Sequence, residues 1–327
     1  MVDVAAIGEV LIDFIAKEEG PLEKIKDFEK HAGGAPANVM VGLSRLGVSS
    51  GLISRVGDDP FGKFLIGALD SEGVDTSQIQ IDKEWHTGVV FVQLQQANPE
   101  FILYKNVAYN FISYSEIDLK YISKLKVLHF GSVLLREEPS RSTTFKAIQY
   151  ARTHKVTISF DVNIRKDLWK GKEDKMWEDI QKSVELADIA KFSENEFIEF
   201  VSQITNSNNT NDMQKLINIV TSLGPKLIII TQGDKGCLIG QKGFSVHIEP
   251  YKVKPIDTTG AGDAFMAAII AGILTNNRVS RLKNLSDEEL KELGKFAVVV
   301  AALSTLKKGA WSVPTLRDLK KYGISLR

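Results

Sequence analysis

Short β-branched, apolar runs recur along the chain, and helix-length amphipathic stretches separate them. This alternation is the most restrictive feature of the sequence. Strands joined by helix-length connections pair in parallel, with helices covering both faces of one sheet. Strands are expected over Val4 to Ile15, Gly51 to Val56, Val127 to Phe130, Val156 to Phe160, Ile189 to Phe192 and Leu227 to Thr231. Helices are expected over Pro36 to Leu46, Phe61 to Glu72, Ser140 to Thr153, Asp174 to Leu186 and Asp212 to Leu223. The first has Pro36 at its start, Val39, Leu43 and Leu46 on one face, and Gly47 just past its end. Ser286 and Glu289 have the spacing of a capping box at a further helix start.

One region breaks the pattern. Gly88 to Leu94 and Phe101 to Lys105 read as two strands joined by a short polar turn containing Pro99, with no helix between them. Such a hairpin is not a βαβ step. It is expected to leave the main sheet and pair with Leu11 to Ile15, forming a small lid. Both faces of that hairpin carry apolar residues (Val90, Phe91, Val92, Phe101, Leu103), so covering a site leaves one face to bury. That predicts a homodimer through the lid. No repeat or long linker is visible. The whole chain, 1–327, is expected to form one doubly wound, mostly parallel α/β domain, with the lid drawn from about 10–31 and 86–112. The polar run from Gln203 to Asp212 reads as an exposed loop.

Composition narrows the function classes. With 41 basic and 41 acidic side chains the net charge is +0, which gives no long-range field for collecting nucleic acid. The single cysteine, Cys237, excludes a disulfide scaffold and reads as a buried strand residue. None of the five histidines pairs at the spacing that puts two imidazoles on one helix face for zinc. The N-terminus carries acidic residues where a signal peptide needs a basic start. The longest apolar stretch, Ala264 to Leu274, falls well short of the ~20 residues that cross a bilayer. The expected location is the cytoplasm.

Two motifs mislead. Gly57 to Phe64 satisfies GxxxxGK but puts Phe64 where a P-loop needs Ser or Thr, and it places Asp58 and Asp59 where amides should meet phosphate. A turn capping the next helix is the better account. Gly260 and Gly262 could open a dinucleotide fingerprint, but Phe265 occupies the third glycine's place.

Asp257 to Phe265, DTTGAGDAF, is more informative because it leads directly into the apolar helix. Its glycines then lie at a helix N-terminus, where unpaired amides and the macrodipole favour phosphate. Asp263 sits in the first turn beside that nest. A phosphate nest flanked by a carboxylate is what phosphoryl transfer to a hydroxyl requires. Asp263 would equally serve as an ordinary first-turn acid. His31 to Asn38, HAGGAPAN, combines two glycines that permit close approach with an amide that both donates and accepts, which suits a polyhydroxylated ligand. Taken alone, an ordinary tight turn explains those glycines as well. Asp161 to Arg165 and Thr231 to Gly236 each follow a strand at its carboxyl end, the edge where open α/β sheets bind ligands.

In combination and order, GGAPANV (Gly33 to Val39), GLSRLG (Gly42 to Gly47), VGDDPFG (Val56 to Gly62), DVNIR (Asp161 to Arg165), the TxGxxG at Thr231, DTTGAGDAF and LKKGA near Ala310 resemble the ribokinase-like (pfkB) sugar kinases. The resemblance spans nearly the whole chain. It implies a doubly wound core with a β lid, ATP as phosphoryl donor, and Mg2+. It also implies that Asp263 is the base, with the amides of Gly260, Ala261 and Gly262 holding charge on the transferred group. Asp13, Gly33, Gly34 and Asn38 match sugar-contacting positions, and Tyr104 is similar to an aromatic that covers the sugar. Asn163 and Arg165 match the sugar–phosphate junction, and Thr231, Gly233 and Gly236 match the nucleotide loop. Glu196 matches the acid that organises magnesium through water. Ser193 stands where the family's usual nucleotide-site asparagine lies, as in the fructokinase and ketodeoxygluconate kinase branches. The family's adenine-side asparagine has no counterpart at Ala297 or Val298. Asp257 and Thr259 match a monovalent-cation position, with K+ as the expected ion. GGAPANV with DVNIRKDLW is most similar to fructokinases, which implies D-fructose as substrate. The alternative is 2-keto-3-deoxygluconate, whose carboxylate would need a cationic partner in the lid, at the place Lys105 occupies, and ribose or a nucleoside comes third. A sugar-binding sensor without catalysis predicts loss of Asp263 or its glycines, which are all present.

Overall fold

Gly8 is where the chain leaves one sheet for another. The computed structural model describes residues 1–94, 101–205 and 212–325. Its strands are β1 (Val4–Ile7), β2 (Leu11–Glu19), β3 (Phe28–Gly33), β4 (Ser50–Gly57), β5 (Ile79–Asp82), β6 (Val89–Leu94), β7 (Phe101–Leu103), β8 (Val127–Gly131), β9 (Thr157–Asp161), β10 (Ile189–Ser193), β11 (Leu227–Thr231), β12 (Cys237–Gln241) and β13 (Phe244–Ile248). The expected strand Val4 to Ile15 is therefore two strands, in different sheets. Gly8 donates to the Ile53 carbonyl, and a Cβ on Gly8 would fall 2.4 Å from that of Pro36. Periodicity could not show the break, because Val4 to Ile7 before it and Val10 to Ile12 after it are all buried.

Among the described residues the larger sheet has nine strands in the order β13-β12-β11-β10-β9-β8-β1-β4-β5, parallel from β11 to β5. Strands β12 and β13 turn back antiparallel at one edge, and Cys237 is buried in β12. The smaller sheet runs β3-β2-β6-β7. As expected, the hairpin pairs with β2, in the register Asp13↔Val90 and Phe14↔Phe91. Its second strand stops at Leu103, short of Lys105. The turn around Pro99, and most of the expected loop before Asp212, lie outside the described residues. Gln203 to Thr205, the start of that loop, instead end the helix Glu194–Thr205. Strands β3, β5 and β13 were not expected. Each is an edge or near-edge strand with mixed polarity, where apolar alternation is weak.

The five expected helices form, at Ala35–Arg45, Pro60–Ser71, Ser140–Thr153, Glu173–Leu186 and Met213–Leu223. The side chain of Asp59 caps the second of these, so the P-loop-like stretch is indeed a capped turn. Ser286 and Glu289 close the capping box of Asp287–Ser304. Helix Ala261–Leu274 is buried all round, which a helix apolar on every face requires. It packs against Ala35–Arg45 and Asp287–Ser304, and a Cβ on Gly42 would lie 2.7 Å from that of Ala267. This burial fixes its N-terminus at the carboxyl edge of the large sheet. Among the described residues no helix is long and apolar enough to cross a membrane.

Candidate active site

Strand order reverses between β1 and β8, and the loops leaving their carboxyl ends diverge there. A crevice at such a switch point is the expected ligand site of an open α/β sheet. The cleft found there has a volume of 1390 Å³. Glu9 follows β1, Arg136 follows β8, and Asn163 and Arg165 follow β9; all line it. Gly34 and Asn38, from the start of Ala35–Arg45, and Gly260 and Asp263, from the start of Ala261–Leu274, close the opposite wall. Asp13, Val90, Val92 and Leu103 of the small sheet cover it.

Asp263 is 8% exposed. Its Oδ2 accepts from Nδ2 of Asn38 at 2.7 Å, and Oδ1 of Asn38 accepts from Nε1 of Trp311 at 2.8 Å. The indole, a donor only, therefore fixes which way the Asn38 amide points. Burial pushes the Asp263 carboxyl up to about 6; the Asn38 bond opposes this, Asp161 adds to it, and Lys191 and Arg165 oppose it further. Two other carboxyls share the environment. Burial carries Glu9 to about 7 and Asp13 to about 6, with Asp263 adding to the shift of Asp13.

The glycines are explained by what approaches them. A Cβ on Gly33 would lie 2.0 Å from Oδ2 of Asp13, and one on Gly34 would lie 2.4 Å from the Glu9 carbonyl oxygen. Gly260 is left-handed, at φ 75°, with Ala310 backbone 2.7 Å from where its Cβ would be. The first intrahelical bond runs from the Ala264 amide to the Gly260 carbonyl, which leaves the amides of Gly262 and Asp263 at the open helix end. The amide of Ala261 is not part of that open set, because it donates to the Thr258 carbonyl at 3.1 Å. Asp257 braces the loop: Oδ1 accepts from the Thr259 amide at 2.9 Å and Oδ2 from that of Gly309 at 2.8 Å. These bonds outweigh burial and hold its carboxyl below the usual range.

Asp13, Gly34, Asn38, Asn163, Arg165, Asp257, Thr259, Gly260 and Asp263 are thus gathered in one cleft. Ala261 and Gly262 adjoin it, and Gly33 stands behind Asp13. Tyr104 corrects the sequence reading. It is 54% exposed and packs edge-on to Phe91, while the strand neighbours of Phe91, Val90 and Val92, face the cleft. Its contact with Phe91, whose cross-strand partner Ile102 is 45% exposed, places Tyr104 on the outer face of the small sheet. Ser193 and Thr231 end β10 and β11, and Glu196, Gly233 and Gly236 follow them, farther along the same edge; none of the five lines the cleft. Gly236 is left-handed and would place a Cβ 2.0 Å from the Ile248 carbonyl oxygen, whereas around Gly233 the space is open.

Glu196 accepts from the Ile164 amide at 2.6 Å and from the amide and hydroxyl of Ser193 at 2.7 and 2.8 Å. Among the described residues no three His, Cys, Asp or Glu side chains form a metal cage. This donor set fits magnesium only in its usual mode beside a nucleotide, carried by phosphates and waters.

Four participants escaped the sequence reading: Glu9, Arg136, Lys191 and Trp311. Lys191 left a signal, a lysine inside the apolar strand IAKFS.

Residues 1–316 match the family model described as pfkB family carbohydrate kinase. The chain belongs to that family. This kinase is 48% identical over 319 residues to a protein of Pyrococcus horikoshii described only as a sugar kinase, covering 98% of this chain and 95% of the other. The ATP complex of that Pyrococcus protein superposes with a TM-score of 0.86, over 98% of this chain and 97% of the other. Fructokinase-2 of Solanum lycopersicum is 36% identical, over 96% of this chain and 92% of its own. A double-mutant fructokinase of Vibrio cholerae, solved with fructose, ADP and potassium ion, is 30% identical with a TM-score of 0.83, over 100% of this chain and 99% of the other. The protein is an ATP-dependent carbohydrate kinase with the ribokinase-like fold.

Proposed function

We propose that this kinase transfers the terminal phosphoryl group of ATP to the primary hydroxyl of a ketohexose, converting D-fructose to fructose 6-phosphate. The observation that carries the reading is Asp263, a buried carboxylate in the first turn of an open helix end, oriented by Asn38. A carboxyl near 6 is ionised at neutral pH and basic enough to receive a hydroxyl proton as the oxygen attacks. The amides of Gly262 and Asp263 and the helix dipole hold charge on the transferred group. Asp13 and Asn38 bind sugar hydroxyls, with Gly33 and Gly34 permitting their approach. Asn163 and Arg165 span the sugar and the phosphate. Ser193, Thr231, Gly233 and Gly236 form the nucleotide side. Magnesium, when bound, neutralises charge between the outer phosphates. Glu196 would meet it through water, and Asp257 with Thr259 would border a potassium ion.

The small sheet acts as a lid, its outer face pairing two copies into a homodimer. The location is cytoplasmic. The relatives that support fructose are the fructokinases of Solanum and Vibrio.

A second reading has one specific observation in its favour. Arg136 is 7% exposed and lines the cleft, and its ion pair, with Glu137 at 3.2 Å, is shared with Lys172. A buried guanidinium facing a substrate cleft suits a sugar acid such as 2-keto-3-deoxygluconate. Sugar-dependent ADP release measured across fructose, glucose, ribose and 2-keto-3-deoxygluconate decides between them. The highest kcat/KM is expected with fructose, and a higher value with the keto acid would overturn that choice.

A further inference from the structure

Lys191 and Asp161 form an ion pair that the fold does not require. They face each other in register on β10 and β9, with Nζ 2.9 and 2.8 Å from the two carboxylate oxygens. Lys191 is 6% exposed and Asp161 2%, between strand neighbours that are fully buried. Replacing such a pair with apolar residues is often neutral or stabilising, so its presence calls for a reason other than stability. Burial alone would lower the Lys191 pKa, but the Asp161 carboxylate outweighs it and the ammonium stays charged.

The ammonium lies under the open helix end. A Cβ on Gly262 would meet only Nζ of Lys191 at 3.5 Å and its Cε at 3.9 Å, ordinary contact distances. Gly260 is required by its left-handed backbone and by Ala310; packing makes no such demand at Gly262. A glycine weakens the first turn of a helix relative to alanine. Here the missing side chain leaves the exposed Gly262 backbone next to the ammonium with nothing else within 4 Å of where a Cβ would stand. Two N–H groups of Lys191 are held by Asp161, and an ammonium has three.

We propose that Lys191 is a further phosphate-contacting residue, whose ammonium, clamped by Asp161 beneath Gly262, meets the terminal phosphoryl group at the start of helix Ala261–Leu274. This rests on the phosphoryl-transfer reading above. Gly262 is then small so that the phosphoryl oxygens can reach both the helix amides and the ammonium. Asp161 holds the lysine in place and keeps it protonated.

The test compares calorimetric binding of β,γ-imido-ATP and ADP to wild type and Lys191→Met, with unfolding followed on the same samples. The expected result is imido-ATP binding weakened ~10-fold or more while ADP stays within about two-fold, since a charge-assisted contact is lost only at the terminal phosphate. Sugar-dependent kcat is expected to fall with the sugar KM little changed. If folded Lys191→Met binds both nucleotides as wild type does, or loses both equally, the proposal is overturned. Should the lone Asp161 prevent folding, Lys191→Met/Asp161→Asn carries the same comparison without an unpaired charge. Failure of the kinase reading is distinct: wild type would then release no sugar-dependent ADP, whatever the nucleotide comparison gives.

Discussion

The side-chain amide of Asn38 donates to the carboxylate of Asp263 at 2.7 Å, joining the first turns of two helices that are 225 residues apart in sequence. The two glycine-rich signatures are therefore halves of one device. Trp311 completes it by holding the amide oxygen of Asn38. Asp263→Asn removes the base and is expected to lower kcat by ~10²–10⁴-fold while leaving the fold intact. Trp311→Phe keeps the ring's bulk but frees the amide to turn, so kcat should fall less, by roughly 10-fold, about the worth of one lost hydrogen bond. Steady-state kinetics on both variants check the order of effects.

The order of motifs made the nucleus of this site legible. GGAPAN and DTTGAGD each announce a glycine-opened helix, and their residues meet as expected. What stayed hidden depends on strand parity and on single polar residues in apolar surroundings. Tyr104 sits one place past Leu103, and that step reverses the face it presents. Glu9 stands in a loop and Arg136 ends the short 3-10 helix Val133–Arg136, in stretches whose sequence shows no motif, and only the switch between β1 and β8 brings them to the cleft. The strand break at Gly8 was invisible because burial continues across it.

Activity and stability should respond to pH in opposite directions. With Asp263 near 6 and acting when ionised, kcat is expected to rise with pH through about 6 and then level off. Glu9, Asp13 and Asp263 all have carboxyls raised above their unfolded values, to about 7, 6 and 6. Between pH 4 and 7 the native state thus binds more protons than the unfolded chain, so these groups make stability fall as pH rises through that window. Groups with lowered values, such as Asp257 and Asp59, lose their contribution only at more acid pH. The melting temperature of the ligand-free protein should therefore be higher at pH 5.5 than at pH 8. Glu9→Gln keeps an oxygen to accept from the Ala35 amide and should flatten that difference; an unchanged slope would count against the buried-acid account.

Gly33→Ala tests whether Asp13 positions the sugar. The new methyl would fall 2.0 Å from the carboxylate oxygen, so Asp13 must move. The base and the open helix amides are not touched. A rise of ~10-fold or more in the sugar KM is expected, with the ATP KM held and kcat reduced less, because binding lost equally in ground and transition states appears in KM.

The outer face of the small sheet carries Phe91 packed on Phe14, Phe28 and Tyr104, beside Ile102 at 45% exposure. If this face joins two copies, a charge there desolvates at a cost on association. Ile102→Glu is the cleaner probe, since Ile102 is not part of the aromatic cluster, and sedimentation should show a shift from dimer to monomer. Phe91→Glu should do the same with a larger loss of lid stability. An unchanged mass for both folded variants would remove the lid as the interface.

Arg136 supplies the last test because it separates the two substrate readings by chemistry. In the fructose reading the guanidinium is a structural cation beside Glu137, and Arg136→Met should alter fructose kinetics little at a small cost in stability. In the sugar-acid reading the same change removes the carboxylate's partner. Truncating one side of a buried, hydrogen-bonded charge pair costs about 2–5 kcal/mol, which is a loss of ~30-fold or more in kcat/KM for the acid. The ratio of keto-acid to fructose kcat/KM, compared between wild type and Arg136→Met, therefore moves only if the guanidinium contacts substrate.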